Sequence, residues 1–182
     1  MAETTSAKKS IRVFELETLR LRIVALDYDH FKMHLDNNGA LQRILKVSVT
    51  QEKVEDWFEE VMREPLSSMA KDLENQYWYS NWQIIQKEIN TVIGGICFKG
   101  PPDSSGKVEI GYGIEKHYQN QGYGTEAIRE VVKWALGQER IQAVTAETDK
   151  SNIPSQAVLI KNGFIKTSGN DELVSWVRSR IK

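Results

Sequence analysis

The sequence predicts an α/β fold of the α+β kind, with a mixed, twisted and mostly antiparallel sheet and helices on both of its faces. Three observations support this prediction. Segments rich in β-branched and aromatic residues follow one another as far as Ile114. The strongest amphipathic helix of the chain comes next, from Thr125 to Gly137. Strand and helix patterns then alternate to the end.

The composition is that of an ordinary globular protein, and it narrows the class of function. The chain has 182 residues, 40% of them hydrophobic, and a formal net charge of −1. This charge offers no broad attraction for nucleic acid. No apolar run approaches the ~20 residues of a membrane span. Cys97 is the single cysteine, so an internal disulfide and a Cys-x-x-Cys metal site are excluded, and we expect a cytoplasmic protein without a metal.

The start of the chain differs in composition from the rest. Residues 1–10 are small and polar without periodicity and predict a disordered leader. The remaining length fits one domain, which we place at residues 11–182. Within it, the alternation from Leu19 to Ile23 predicts the first strand. Asp27 is expected to cap a short helix that ends at Asn37–Gly39.

A second helix is predicted by one continuous apolar stripe. The stripe consists of Val54, Trp57, Phe58, Val61 and Met62. Pro65 is expected to end this helix, because proline lacks the N–H that the helix ladder needs. The spacing predicts that Trp57 packs against the sheet.

Three strands are predicted in the middle of the chain, at Tyr77–Ile85, Thr91–Lys99 and Lys107–Ile114. The first of them is dense in aromatic residues: Tyr77, Trp78, Tyr79 and Trp82. Core packing is the default interpretation of such residues, with one or two of them left to line a pocket for an acceptor.

The last part of the chain alternates between strands and helices. After the helix from Thr125 to Gly137, a strand is predicted at Gln142–Thr148 and a helix at Asn152–Asn162, with Gly163 as its left-handed end. Two further strands, Phe164–Thr167 and Leu173–Arg178, close the sheet.

The strand before the long helix has one face that cannot fill a core. Its apolar face consists of Val108, Ile110, Tyr112 and Ile114, and its other face of Glu109, Gly111, Gly113 and Glu115. Two glycines between carboxylates leave a groove that a ligand or another backbone can approach closely. A bulge in the sheet is the alternative explanation.

The turn that follows this strand has the composition of an anion site. It runs from Gln119 to Thr125 and contains Gly122 and Gly124. Glycines allow successive backbone N–H groups to point the same way, and the start of a helix adds unpaired donors. Neither the lysine of a phosphate-binding Walker loop nor the Gly-x-Gly-x-x-Gly dinucleotide motif is present.

Three blocks of sequence resemble the GNAT N-acetyltransferase superfamily. In the first block, Gln119-x-x-Gly122-x-Gly124 resembles its coenzyme A pyrophosphate loop, and Glu109-Ile110-Gly111-Tyr112 before it is similar to the subgroup of ribosomal-protein N-terminal acetyltransferases, the RimJ/RimL-like enzymes. The other two blocks, the motif from Asn152 to Phe164 and the opening Leu16–Arg22, are similar to the same subgroup. The blocks stand in the family's order and span about residues 16–167.

The resemblance implies an N-acetyltransferase that moves an acetyl group from acetyl-CoA to a primary amine by direct attack in a ternary complex. The residues that it implies for coenzyme binding are Tyr112, Ile114, Gln119, Gln121, Gly122, Tyr123, Gly124, Thr125, Asn152, Ser155 and Lys161. Two catalytic roles are also implied. Glu109 is expected to act as the general base, directly or through water, with Glu115 as a weaker rival. Ser155 or water is expected to protonate the leaving thiolate, because Leu159 stands where many members carry a tyrosine.

Other interpretations stay open at this point. Leu159 keeps a non-catalytic coenzyme A-binding module as the alternative, and the loop alone is compatible with a nucleotide site. The acceptor is expected to be a small-molecule amine or a protein N-terminus, and the protein a monomer or a homodimer. His30 and His34 have a metal-ligand spacing without a third ligand, so ordinary helix positions are expected for both.

Overall fold

The structure is a computed structural model that describes residues 13–181. Its strands are β1 Phe14–Glu17, β2 Leu21–Ala25, β3 Asn81–Gln86, β4 Thr91–Phe98, β5 Lys107–Ile114, β6 Ala143–Asp149, β7 Ile165–Gly169 and β8 Leu173–Ser179. Its α-helices are α1 Tyr28–Asp36, α2 Asn38–Ile44, α3 Asp56–Lys71, α4 Tyr123–Gly137 and α5 Ile153–Lys161. The predicted leader, residues 1–10, lies outside the described residues.

The predicted fold class is confirmed. All eight strands form one sheet in the order β1-β2-β3-β4-β5-β6-β8-β7, and among the described strands only β5 and β6 pair in parallel. One face packs against α4 and α5 in a core that includes Ile128 and Leu159. The opposite face packs against α1, α2 and α3, around Phe31 and Leu41. Helices therefore cover both faces, and each face has its own hydrophobic core.

The start of the sheet differs from the prediction. Instead of one strand at Leu19–Ile23, two antiparallel strands pair from Phe14↔Ala25 to Glu17↔Arg22. The turn between them leaves the Leu19 side chain 91% exposed. Alternation alone did not reveal this turn, because Thr18 stabilises it through its backbone and hydroxyl bonds to Leu21.

The prediction that Pro65 ends the second helix is wrong. Helix α3 continues to Lys71 with Pro65 inside it. Leu66, the next residue, and Met69, one turn beyond the proline, are buried in the core under α1 and α2, so packing outweighs the lost helix bond. Trp57 does not pack against the sheet as predicted, since 62% of it is exposed.

One helix boundary is confirmed and one strand boundary is wrong. Helix α1 is capped by Asp27 and ends at Asp36, next to the predicted Asn37–Gly39. The Asn37 side chain then accepts a bond from Ala40 N and starts α2, a helix that was not predicted. The strand predicted to begin at Tyr77 begins at Asn81, after a 3₁₀ segment over Leu73–Trp78. Turn-forming side chains decide both boundaries, and hydrophobic periodicity does not detect them.

The aromatic residues predicted near Tyr77 form a cluster inside the core. Trp82 lies 4.8 Å from Trp134 and Trp78 lies 4.9 Å from Phe98, measured between ring centroids. Trp82 is fully buried. The default interpretation, core packing, holds for these two tryptophans. None of the four predicted aromatic residues is among those that line the cleft described below.

Candidate active site

Strands β5 and β6 diverge and open a wedge in the middle of the sheet. Among the described residues their pairing covers only Lys107↔Ala143 to Glu109↔Thr145. β5 nevertheless continues to Ile114 and β6 to Asp149. The backbone edge of β5 beyond Glu109 therefore faces the wedge without a partner strand from β6.

The register with β4 fixes which backbone groups of β5 face the wedge. Glu115 N donates to Ile93 O, and Lys99 N donates to Glu109 O, each at 2.9 Å. Hydrogen-bonded pairs alternate along an antiparallel ladder. The N–H groups of Tyr112 and Ile114 consequently point away from β4 and toward the wedge.

The glycine loop between β5 and α4 presents a second set of backbone donors. Gly122 precedes α4 with φ 82°, in the left-handed region that favours glycine. The first intrahelical bond, from Glu126 N to Gly122 O, spans 3.0 Å. The N–H groups of Tyr123, Gly124 and Thr125 thus have no acceptor within the helix. Together with the positive end of the helix dipole they make an anion cradle.

The two glutamines of the loop support its backbone. Gln119 Nε2 donates to Ile114 O at 2.8 Å, and Gln121 Nε2 donates to His117 O at 3.1 Å. Both side chains therefore fix the path of the loop toward the helix. Lys161 is exposed at the end of α5.

An arginine that the sequence argument did not single out holds the same loop. Arg20 Nη1 donates to Gln121 O at 3.0 Å, and its guanidinium lies 4.4 Å from the Tyr123 ring centroid. Arg20 Nε contacts Glu126 Oε2 at 2.7 Å, and the Thr18 hydroxyl donates to Glu126 Oε1 at 2.6 Å. We call this group of Thr18, Arg20 and Glu126 the clasp. It ties the β1–β2 turn to the first turn of α4.

Helix α5 is attached to both the wedge and the loop. Asn152 caps it by accepting a bond from Ser155 N at 3.1 Å. The Tyr112 hydroxyl lies 2.8 Å from Ser155 Oγ, and burial raises the pKa of Tyr112. Asn162, which is 3% exposed and was not predicted, donates to Thr125 O at 3.2 Å. Polar residues predicted from separate motifs are thereby brought together around the wedge.

Glu109 lies where the two strands begin to diverge. Its carboxylate forms an ion pair with Lys99, the residue that follows β4, and the bond between them raises the pKa of Lys99. The Glu109 side chain is 29% exposed. It shares a sheet face with Gly113, four residues further along β5 and so about 13 Å away in an extended strand. Any action on a group bound near Gly113 would need a chain of water molecules.

A cleft of about 370 Å³ opens on the sheet face opposite α4. Its floor is a row of register partners, Gln83, Gly95 and Gly113, from three adjacent strands. Gly94 permits this close arrangement, because a Cβ there would collide with Gly113 O. At Gly113 itself, no described protein atom lies within 4 Å of the position of a Cβ, so the space above it is open.

The inner wall of the cleft comes from α1 and α2. His34, Asn38 and Gln42 line it and are each at most 7% exposed. Burial lowers the pKa of His34. The outer rim comes from the segment before α3 and from its first turn, with Thr50, Glu55 and Trp57, and Glu115 stands at the end of β5. Burial raises the pKa of Glu115.

Across residues 13–181, no group of three or more His, Cys, Asp or Glu side chains has a metal-binding arrangement. Over the same residues, no helix is long and apolar enough to cross a membrane.

The divergent strands, the helix-start cradle and the adjoining cleft lie within the part of the chain that a family comparison matches. A family model described as an acetyltransferase (GNAT) domain matches residues 18–165. The chain therefore belongs to the GNAT acetyltransferase family, as the sequence blocks had suggested.

Individual relatives agree with this assignment. An uncharacterised N-acetyltransferase, YjdG of Bacillus subtilis strain 168, is 34% identical over 54% of this chain and 59% of its own length. The match thus spans little more than half of that relative.

Solved structures extend the likeness of the fold to nearly the whole chain. A ribosomal-protein-S5-alanine acetyltransferase from Vibrio fischeri has a TM-score of 0.66 at 14% identity, over 92% of this chain and 97% of its own. The RimL ribosomal L7/L12 α-N-protein acetyltransferase in complex with coenzyme A has a TM-score of 0.65 at 15% identity, over 91% and 98%.

Proposed function

We propose that the protein is an N-acetyltransferase that uses acetyl-CoA and a primary amine in a ternary complex. One observation carries the proposal: the unpartnered edge of β5 adjoins the cradle at the start of α4, because the position of a Cβ on Gly124 lies 3.5 Å from the side chain of Ile114. This arrangement joins a strand-like ligand segment to a phosphate site. It fits a long coenzyme with a pyrophosphate.

Residues of this chain would hold each part of the coenzyme. The N–H groups from Gln121 to Thr125 would bind the pyrophosphate. The edge of β5 at Tyr112 would pair with the pantetheine arm as an added strand does. The Ile114 N–H would donate to the carbonyl oxygen at the reacting end. When bound, acetyl-CoA supplies an activated acetyl thioester.

Proton transfer is assigned to side chains around the wedge. An amine must lose one proton before attack, and Glu109 would accept it through a chain of water molecules. The nitrogen releases its second proton to solvent when the C–S bond breaks and the amide forms. Ser155, hydrogen-bonded to Tyr112, would donate the proton that converts the leaving thiolate to a thiol, and would be reprotonated from solvent.

Direct attack is favoured over an acetylated enzyme. Cys97 is the only cysteine of the chain. Burial raises the pKa of its thiol, so the thiolate needed for nucleophilic catalysis is disfavoured. The acceptor amine itself is therefore the nucleophile in our proposal.

The acceptor in this proposal is a small-molecule amine or a protein N-terminus. Two structural neighbours are named for acting on ribosomal proteins, which supports an amine at the end of a polypeptide as one candidate. We further propose a cytoplasmic protein, monomeric or homodimeric.

A non-catalytic coenzyme A-binding module is the second candidate. Leu159 favours it, because this fully buried leucine stands where many members carry a tyrosine. The test is release of free coenzyme A thiol from acetyl-CoA in the presence of a panel of amines. An amine-dependent release supports the enzyme. Coenzyme binding without release for any amine would support the module.

A further inference from the structure

We propose that the cleft selects acceptors with no negatively charged group next to the reacting amine. Amines that carry a neutral amide or a further positive charge are then acetylated, and free amino acids are rejected. This inference rests on the proposed function and specifies the substrate class for the same site. It follows from the charges, the hydrogen-bond directions and the shape of the cleft.

The charges that line the cleft all have one sign. Glu55 and Glu115 carry the only formal charges among its lining residues, and no lysine or arginine of the described chain is among them. A carboxylate bound beside the amine would be desolvated next to like charges, which costs several kcal/mol in known interfaces. An ammonium or a neutral amide meets no such penalty.

His34 does not supply the missing positive charge. Asn38 Nδ2 donates to Gln51 O at 2.7 Å, which turns Asn38 Oδ1 toward His34 Nδ1 at 2.9 Å. Nδ1 therefore carries the proton, and His34 Nε2 faces Gln83 Nε2 at 3.5 Å as an acceptor. The chain of bonds is complete with a neutral imidazole, and burial keeps it so.

The floor of the cleft offers a neutral hydrogen-bond partner for an uncharged acceptor. Asn81 Oδ1 already accepts from Gln83 Nε2, which fixes the Gln83 amide with its oxygen directed away from that bond. Gln83 is 5% exposed and stands at the floor of the cleft. Amide and hydroxyl groups of an acceptor can bond to such side chains without a change of charge.

The rim favours positive charge. Trp57 lies beside Glu55, which accepts a bond from its indole N–H, and 62% of Trp57 is exposed at the cleft mouth. An aromatic face and a carboxylate both attract a cation. An acceptor with its amine above Gly113 would extend over Gly95 toward Gln83, along the row of register partners.

The matched acceptors for the test are alaninamide and alanine, which share a side chain and carry a neutral amide or a charged carboxylate beside the amine. Release of coenzyme A thiol is measured for both, and kcat/KM is expressed per neutral amine because the two amines have different pKa values. We expect alaninamide to be favoured by more than about tenfold. Parallel assays with a diamine and with a short neutral peptide show whether the preferred acceptor is a small amine or the amino terminus of a polypeptide.

Two variants of the cleft and one control test the cause. Thr50→Lys places a cation at the rim, and Glu55→Gln removes a carboxylate without burying a new group. Each is expected to narrow the preference for alaninamide by about threefold or more. Glu60→Lys, an exposed change on α3 outside the cleft, should leave the preference unchanged.

The outcomes separate this inference from the proposed function. Equal rates for alanine and alaninamide, or a preference that both cleft variants leave intact, would overturn the inference while transfer itself stands. No thiol release for any amine, in protein that binds acetyl-CoA, would instead overturn the proposed function.

Discussion

The coenzyme side and the acceptor side of this molecule are assembled in different ways. The coenzyme side consists of β5, the glycine loop, α4 and α5, which lie close together in the chain, and its donors are mostly backbone groups. The acceptor cleft takes side chains from α1, α2, the segment before α3 and three strands. Backbone donors tolerate many side chains, whereas the cleft depends on particular ones. Changes on one side should therefore leave the affinity of the other side intact.

Glu109, where the two sides meet, should show the largest effect. We expect Glu109→Gln to lower kcat by ~10²–10⁴-fold, the usual contribution of a general base, with coenzyme affinity retained. The loss should shrink at higher pH, because more of the amine is already neutral. The measurement is a pH–rate profile. Lys99→Met is the matched control, since loss of folded protein to a similar extent in both variants with unchanged rates would favour a structural ion pair.

Binding of acetyl-CoA should stabilise the whole fold through the coenzyme side. At a hundredfold excess over Kd, we expect about 2.7 kcal/mol of added stability. For a chain of this size, that corresponds to a rise of about 5–10 °C in Tm. Thermal unfolding with and without the coenzyme measures it. An unchanged Tm at saturating acetyl-CoA would remove the coenzyme from the proposal.

Gly122→Val should weaken that side alone. The substitution is strained at φ 82°, at a cost of about 1–3 kcal/mol, and should raise the Kd for acetyl-CoA about 10- to 100-fold. Gly124→Ala is the control, since a Cβ there makes only ordinary contacts at 3.5 Å or more. Titration calorimetry compares the two. Equal affinities would place the cradle elsewhere.

Gly113→Val should weaken the acceptor side. The added side chain enters open space, so folding is preserved, while the acceptor KM is expected to rise about tenfold because the side chain occupies the space proposed for the acceptor. Gly137→Val adds the same group in open space at the end of α4 and should change neither KM. If Gly113→Val alters only the KM for acetyl-CoA, the cleft does not hold the acceptor.

The clasp should give the smallest effect, and it depends on pH. Although burial opposes it, bonds from Thr18 and Arg20 lower the pKa of Glu126 from 4.5. A lowered pKa in the folded state means that this stability is present above pH 4.5 and is lost as pH falls through the lowered value. We expect Glu126→Gln to cost ~1 kcal/mol at pH 7, and less in acid, because Arg20 is partly exposed.

Urea unfolding at pH 7 and in acid measures the contribution of the clasp to the free energy of unfolding. Glu130→Gln, one turn further along α4, is the matched control, because Glu130 contacts only the exposed Lys133 among the described ion pairs. A difference between the two variants that does not change with pH would show that the Glu126 charge is not the source.

The local structure of the proposed coenzyme side could be predicted from the sequence far better than that of the proposed acceptor side, for a physical reason. The turn at Gly122 and the cap at Asn152 are decided by neighbouring residues, so local patterns predict them. His34 and Gln83 are 49 residues apart and meet only in the folded sheet. Their polarity was visible in the sequence, but nothing local showed that they share a cleft.

Arg20 shows the same limit within the coenzyme side. It was counted as one of the alternating residues of a strand, yet its bonds to Glu126 place it against the loop. Pro65 shows the opposite error, since a strong local signal was outweighed by the burial of Leu66 and Met69. Tertiary packing decided both cases.

The clasp also has a consequence for the order in which the molecule folds. Arg20 and Glu126 are separated by 106 residues, and closing so long a loop is slow compared with forming a local turn. The glycine loop and its helix can form early from neighbouring residues. Their final conformation is reached only when the first hairpin docks on them. Competence to bind the coenzyme is thus expected to appear late in refolding, together with the native pairing of β2 with β3.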